Sequence, residues 1–109
     1  MSQILQYKLD PDTLHSIFCS VYSLIQSQNY QDAIECLKPV LQEQPDNFHA
    51  LYNTGYCLRK LKKYQESLKQ FSKILDYDPE NSYAKNNIEY IKKIAYRCRK
   101  CTSSWSNSN

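Results

Sequence analysis

Apolar residues along this chain recur at helical spacing. Leu51, Leu58, Leu61, Leu68 and Phe71 lie three, four and seven positions apart, which places them along one side of amphipathic helices. The pattern itself repeats with a period of 34 residues. Adding that period carries Ile17 to Leu51, Leu24 to Leu58, Tyr30 to Tyr64, Ile34 to Leu68, Leu37 to Phe71 and Val40 to Ile74. It also carries Pro45 to Pro79 and Asn47 to Asn81, and a further step takes Asn53 to Asn87 and Tyr56 to Tyr90. Polar turns at 26–29 (QSQN) and 60–63 (KLKK) divide each unit in two, each turn being followed by tyrosine. The reading is therefore all-α: one helix–turn–helix unit over residues 12–47, a second over 48–81, and a single helix over 82–97. Residues 1–11 form a lead-in, in part helical, and residues 98–109 a flexible basic and Ser/Asn-rich tail.

End signals fit these bounds. Asp10-Pro11 offers an N-cap followed by proline at the first helical position. Asp46-Asn47 and Glu80-Asn81, each after a proline, supply turn and capping chemistry between units. Pro39 falls inside the second helix of the first unit, where it deletes a backbone hydrogen bond and is expected to bend the helix. Over 82–97, Ala84, Ile88, Ile91 and Ala95 share one face while Lys85, Glu89, Lys92 and Lys93 share the other, as the last helix of a stack requires.

These residues carry a resemblance to the tetratricopeptide repeat family. Its hallmark positions appear in the second unit as Leu51, Gly55, Leu58, Tyr64, Ser67, Phe71, Ile74 and Pro79. In the first unit they appear as Ile17, Val21, Leu24, Tyr30, Ala33, Leu37, Val40 and Pro45. The resemblance implies a right-handed superhelical solenoid of antiparallel helix pairs. It also explains the chain's one glycine, which sits mid-helix although glycine there costs about 1 kcal/mol relative to alanine. Gly55 is expected to face Ser67 where two helices cross closely; Val21 opposite Ala33 makes the looser equivalent.

In that family the first helices of successive units line a concave surface that contacts partners. The resemblance assigns to this groove His15, His49 and Tyr83; Phe18, Tyr52 and Asn86; Tyr22, Tyr56 and Tyr90; and, on the same side, Asn53 and Asn87. Rings with few rotamers and phenolic hydroxyls supply contact area and orientation together. The same tyrosines also serve as packing in helical repeats, so both roles stay open for Tyr22, Tyr56 and Tyr90. Family members that clamp a terminal carboxylate do so with cations and asparagines. At four of those five places this chain has Phe18, Tyr22, Tyr83 and Asn87, and only Asn53 matches. An apolar or aromatic peptide therefore suits the groove better than a chain terminus.

Charge adds a second surface. The net charge is +3, but residues 1–58 sum to −4 and residues 59–109 to +7. Arg59, Lys60, Lys62 and Lys63 cluster at one turn; Lys92, Lys93, Arg97, Arg99 and Lys100 follow. Such asymmetry bears on partners rather than on fold. Acidic partners or nucleic acid are the functional readings, and no aromatic-plus-basic nucleic-acid motif accompanies the charges.

Five cysteines, an odd number, argue against a secreted disulfide framework. Cys98 and Cys101 form a lone CxxC, which supplies two of the four ligands zinc needs; no metal or other cofactor is expected. No nucleophile elbow, phosphate loop or HExxH is present, which points to a non-enzyme. The opening MSQILQYKLDPD has neither the cationic head nor the apolar stretch of a secretory signal, and no run reaches the ~20 apolar residues of a membrane span. The expectation is a cytoplasmic interaction adaptor or co-chaperone, within a larger complex or self-associating. The alternatives are a secretion or assembly chaperone that shields a client helix, and binding of nucleic acid or an acidic partner through the basic half.

Overall fold

The computed structural model describes residues 10–101, with side chains described through residue 95. Five helices follow one another: α1 (Pro11–Gln26), α2 (Tyr30–Glu43), α3 (Phe48–Lys60), α4 (Tyr64–Tyr77) and α5 (Ser82–Cys101). Each packs against its sequence neighbour, most extensively α3 against α4. The stack is elongated, measuring 52 × 31 × 27 Å, and is a tetratricopeptide-type helical solenoid.

Side chains cap the starts of α1, α3 and α5, whereas Asn29 at the start of α2 makes no side-chain cap bond. Asp10 Oδ1 accepts the Thr13 amide at 2.7 Å, and this bond holds the exposed carboxyl below the usual carboxylate range. Asn47 Oδ1 accepts the Ala50 amide and Asn81 Oδ1 the Ala84 amide, both at 2.9 Å. The two asparagines lie one period apart, and the turns that hold them match as well. Gln44 N donates to Val40 O at 2.7 Å as Asp78 N does to Ile74 O.

Turns inside the units close differently. Gln28 N donates to Ile25 O (3.0 Å) and Asn29 N to Leu24 O (2.7 Å); Lys62 N donates to Arg59 O and Lys63 N to Leu58 O, both at 2.9 Å. These paired bonds are Schellman motifs, which require a left-handed residue after the helix. That residue is Gln28 (φ 66°) in one turn and Lys62 (φ 65°) in the other, positions where glycine is the common choice.

Two apolar clusters run through the stack. Val21, Ala33, Ile34, Leu37, Val40, Ala50, Cys57 and Leu58 form the first, and Leu51, Phe71, Ile74, Ala84 and Ile91 the second. Tyr30 and Tyr64 are half-buried against them. Burial removes the Cys57 thiol from water and pushes its pKa up to about 11. α2 continues without interruption through Pro39.

Gly55 meets Ser67 as expected but corrects the expectation of what excludes a side chain there. A Cβ at this position would stand 2.9 Å from two atoms of the Phe71 ring, so the group that excludes a side chain is Phe71 rather than Ser67. Ser67 makes a different contact: its hydroxyl donates to the Gly55 carbonyl at 2.6 Å inside the core. One period earlier the same space holds Val21 and Leu37, both buried. A small residue facing a large one in the second unit thus replaces two of middle size in the first.

The end of α5 corrects another. The helix runs to Cys101, beyond the predicted end at residue 97, because no Gly or Pro interrupts YRCRKC and Ser-rich sequence begins only afterwards. Ala84, Ile91 and Ala95 are buried and Ile88 half-buried, while Lys85, Glu89, Lys92 and Lys93 are exposed. By register, Lys85, Glu89 and Lys92 occupy the places that Leu51, Gly55 and Leu58 fill in α3. The face on which another antiparallel helix would pack is therefore charged. The lead-in at 1–9 and the tail from 102 lie outside the described residues.

Candidate functional site

Odd-numbered helices present the predicted ladders. His15, Tyr22, His49, Tyr83, Asn86 and Tyr90 are exposed; Phe18, Tyr52, Asn53, Tyr56 and Asn87 are half-buried. Tyr22 keeps 65% and Tyr83 63% of its surface in solvent, so these rings are not packed between the chain's own helices.

Ring contacts join the ladders into two rows. In the first, Phe18 of α1 meets His49 of α3 edge-on at 6.1 Å, and His49 meets Phe48 at 5.3 Å. Phe48 stacks on Tyr52 at 5.8 Å, and Tyr52 meets Tyr83 of α5 edge-on at 6.1 Å. Tyr52 also leans edge-on against buried Phe71 at 5.8 Å, which anchors the row to the core. His15 lies outside it, its Nε2 3.5 Å from the Cys19 sulfur. Phe48 is absent from the sequence-level set. The 34-residue register groups it with Leu14 and Ser82, so no aromatic ladder marks it.

The second row is built around a cation. The Arg59 guanidinium carbon stands 5.1 Å from the Tyr56 ring centre and 4.7 Å from that of Tyr90, bridging α3 and α5. Lys60 Nζ stands 5.8 Å from the Tyr56 ring, and Tyr30 of α2 meets Tyr56 edge-on at 6.5 Å. The sequence groups Arg59 with Lys60, Lys62 and Lys63 in one basic cluster; here it alone of the four is half-buried, among the rings. The signal was present in the register, where Ile25, Arg59 and Lys93 form a ladder of their own. Lys60, Lys62, Lys63, Lys92 and Lys93 are exposed. Side chains of Arg97, Cys98, Arg99, Lys100 and Cys101 lie outside the described residues.

Asn53 and Asn87 behave as a pair. Each Nδ2 donates to the carbonyl one turn back in its own helix, His49 O and Tyr83 O, both at 2.8 Å. The amide planes are thereby fixed, leaving each carbonyl oxygen and one N–H available. Asn53 also edges a depression of about 330 Å³ lined by Phe18, Val21, Tyr22, Ile25 and His49. Its walls are mostly carbon, and it has room for one large apolar side chain.

Among the described residues, no group of three or more His, Cys, Asp or Glu is placed to hold a metal ion. No described helix is long and apolar enough to cross a membrane.

Comparison with known proteins agrees with this architecture. A family model for the tetratricopeptide repeat matches residues 21–84. Among solved structures, an arginine-to-glutamate mutant of MamA superposes with a TM-score of 0.68 at 21% identity, covering 90% of this chain and 73% of that one. At that identity the likeness concerns the fold. No curated protein matches the sequence at a significant level.

Proposed function

This chain belongs to the tetratricopeptide repeat family, and we propose that it is an adaptor holding a partner's peptide or helix against the shared face of α1, α3 and α5. The family is a protein-interaction fold, generally without catalytic activity, and we assign this member no reaction. In this reading residues 12–47 and 48–81 are the two repeats and α5 caps them. Free thiols at Cys19, Cys36 and Cys57 suit a reducing compartment, and we place the protein in the cytoplasm.

One observation carries the reading: Tyr22, Tyr83 and Tyr90 are large rings left in solvent on the face that the register assigns to partners. Large rings exposed on one face, Tyr22 among them lining an apolar depression, mark an interaction surface. Tyr52 is a poor target for a test because its ring also supports Phe71. The triple variant Tyr22→Ala, Tyr83→Ala, Tyr90→Ala removes exposed rings and is expected to keep its helicity while losing partner capture. The control Glu35→Ala, Lys38→Ala removes an exposed ion pair of α2 and is expected to retain capture. Undiminished capture by the triple variant would contradict the assignment.

A further inference from the structure

Arg59 is the one guanidinium among the described groove residues, and its environment is incomplete. Its Nε is buried without a hydrogen-bond partner, and among the described residues no carboxylate pairs with it. Both neighbouring rings are tyrosines, so the charge meets aromatic faces rather than an anion. Cation–π contacts orient a guanidinium but leave its in-plane donors free. The ladder positions lining this face contain no Asp or Glu. Along the row Ile25, Arg59, Lys93 the face changes from apolar on α1 to cationic on α3 and α5.

Resting on the groove reading above, we infer that Arg59 is a specificity residue, receiving the carboxylate of an internal Asp or Glu in an extended partner peptide. A large apolar residue of the same peptide fills the Phe18/Tyr22/Ile25/His49/Asn53 depression. The two sites lie in adjacent valleys, α1–α3 and α3–α5. Neighbouring helices are spaced roughly 8–10 Å apart, Arg59 lies about 9 Å of helical rise beyond Asn53, and extended chain advances about 3.3 Å per residue, so apolar and acidic residues fall about three to four positions apart. Planar guanidinium takes a carboxylate through two parallel N–H···O bonds. The occupant is a peptide rather than a nucleic acid strand. Bases stack on ring faces, and beside Arg59 the guanidinium already lies over those of Tyr56 and Tyr90.

The test uses the full chain and three pools of fluorescein-labelled peptides, acetylated and amidated so that terminal charges are absent. Each peptide carries one Leu, Ile or Phe, with Glu, Gln or Lys three or four residues away on either side. In anisotropy titrations the Glu pool is expected to bind at least tenfold tighter than the Gln pool, and the Lys pool weakest. Arg59→Gln is expected to equalise binding of the Glu and Gln pools; Arg59→Lys restores part of the preference. Equal binding of Glu and Gln pools to the parent chain overturns the inference and needs no variant, so an unfolded Arg59→Gln chain would not shield it. A preference that survives in folded Arg59→Gln also overturns it. Absence of binding by every pool, or binding untouched by Tyr22→Ala, overturns the groove reading and this inference with it. An oligo-dT strand that binds tighter than the Glu pool, in an Arg59-dependent manner, assigns the site to phosphate instead.

Discussion

Gly55 shows how a single residue sets the distance between two helices. Replacing it with alanine gains about 1 kcal/mol of helix propensity, yet the new methyl meets a fully buried Phe71 ring at 2.9 Å. Overpacking of this kind costs about 1–3 kcal/mol. Gly55→Ala is therefore expected to lower stability in urea denaturation by about 1 kcal/mol net, and Gly55→Leu by more. The first unit shows the remedy, since Val21 and Leu37 fill the equivalent space. In a double-mutant cycle, Gly55→Val with Phe71→Leu is expected to be more stable than the sum of the single changes predicts; simple additivity would contradict this packing account. The glycine's presence in a close crossing was legible in the sequence. Its true obstacle was not, because position 67 is the small residue of the partner helix, whereas the ring that fills the gap comes from the next turn.

Cysteines give a second prediction at this scale. Cys19 is exposed, Cys36 half-buried and Cys57 buried, and thiolate is the reactive form. Alkylation of the native protein, mapped by mass spectrometry, is expected to modify Cys19 first and Cys57 last of these three. Early labelling of Cys57 would contradict the core assignment. Its thiol holds its proton to about 11 against an ordinary 9.0. This contribution to stability is complete below pH 9 and is lost as pH rises from 9 to 11. Cys57→Ala is expected to lose that part of the alkaline decline, and an unchanged slope would argue against it.

Elements end where local chemistry dictates, and here the sequence was only partly readable. Period, helix count and asparagine caps could all be seen in the spacing of Leu, Tyr, Pro and Asn. The two Schellman turns could not, because Gln28 and Lys62 stand where glycine would have signalled a left-handed residue. A non-glycine residue in that conformation costs roughly 1–2 kcal/mol. Lys62→Gly is thus expected to raise the melting temperature even though it deletes a side chain, and a lower value would contradict the turn geometry. Asn81→Ala removes the cap of α5 and is expected to cost about 1 kcal/mol. Its effect on hydrogen exchange should concentrate in the first turn of α5, around Tyr83. The late end of α5 was missed for a simple reason: RCRKC carries charge but no helix breaker, and charge alone does not stop a helix.

At the scale of the whole molecule, the stack converts a linear repeat into one continuous surface. A period of 34 residues brings Phe18, Tyr52 and Asn86 into register, and likewise Tyr22, Tyr56 and Tyr90. Those ladders were legible. The link between two of them was not, since Phe48 joins His49 to Tyr52 from a register position that holds no other aromatic residue. Charge is redistributed as well. α1, α3 and α5 run parallel, so the Lys60–Lys63 turn and the basic second half of α5 lie along one edge. Asp10, Asp46, Asp78 and Glu80 sit at turns along the other. An acidic peptide is accordingly drawn toward one side of the aromatic face, and the attraction should weaken with added salt.

Amide chemical-shift mapping tests the central claim most directly. The full chain is titrated with the tightest-binding peptide of the three pools, and perturbed residues are located on the stack. The account predicts shifts concentrated at 18–25, 49–59 and 83–90, with the exposed sides of α2 and α4, including Glu35, Lys38, Glu66 and Lys73, unmoved. Shifts centred on α2 and α4, with the odd-numbered helices silent, would contradict it.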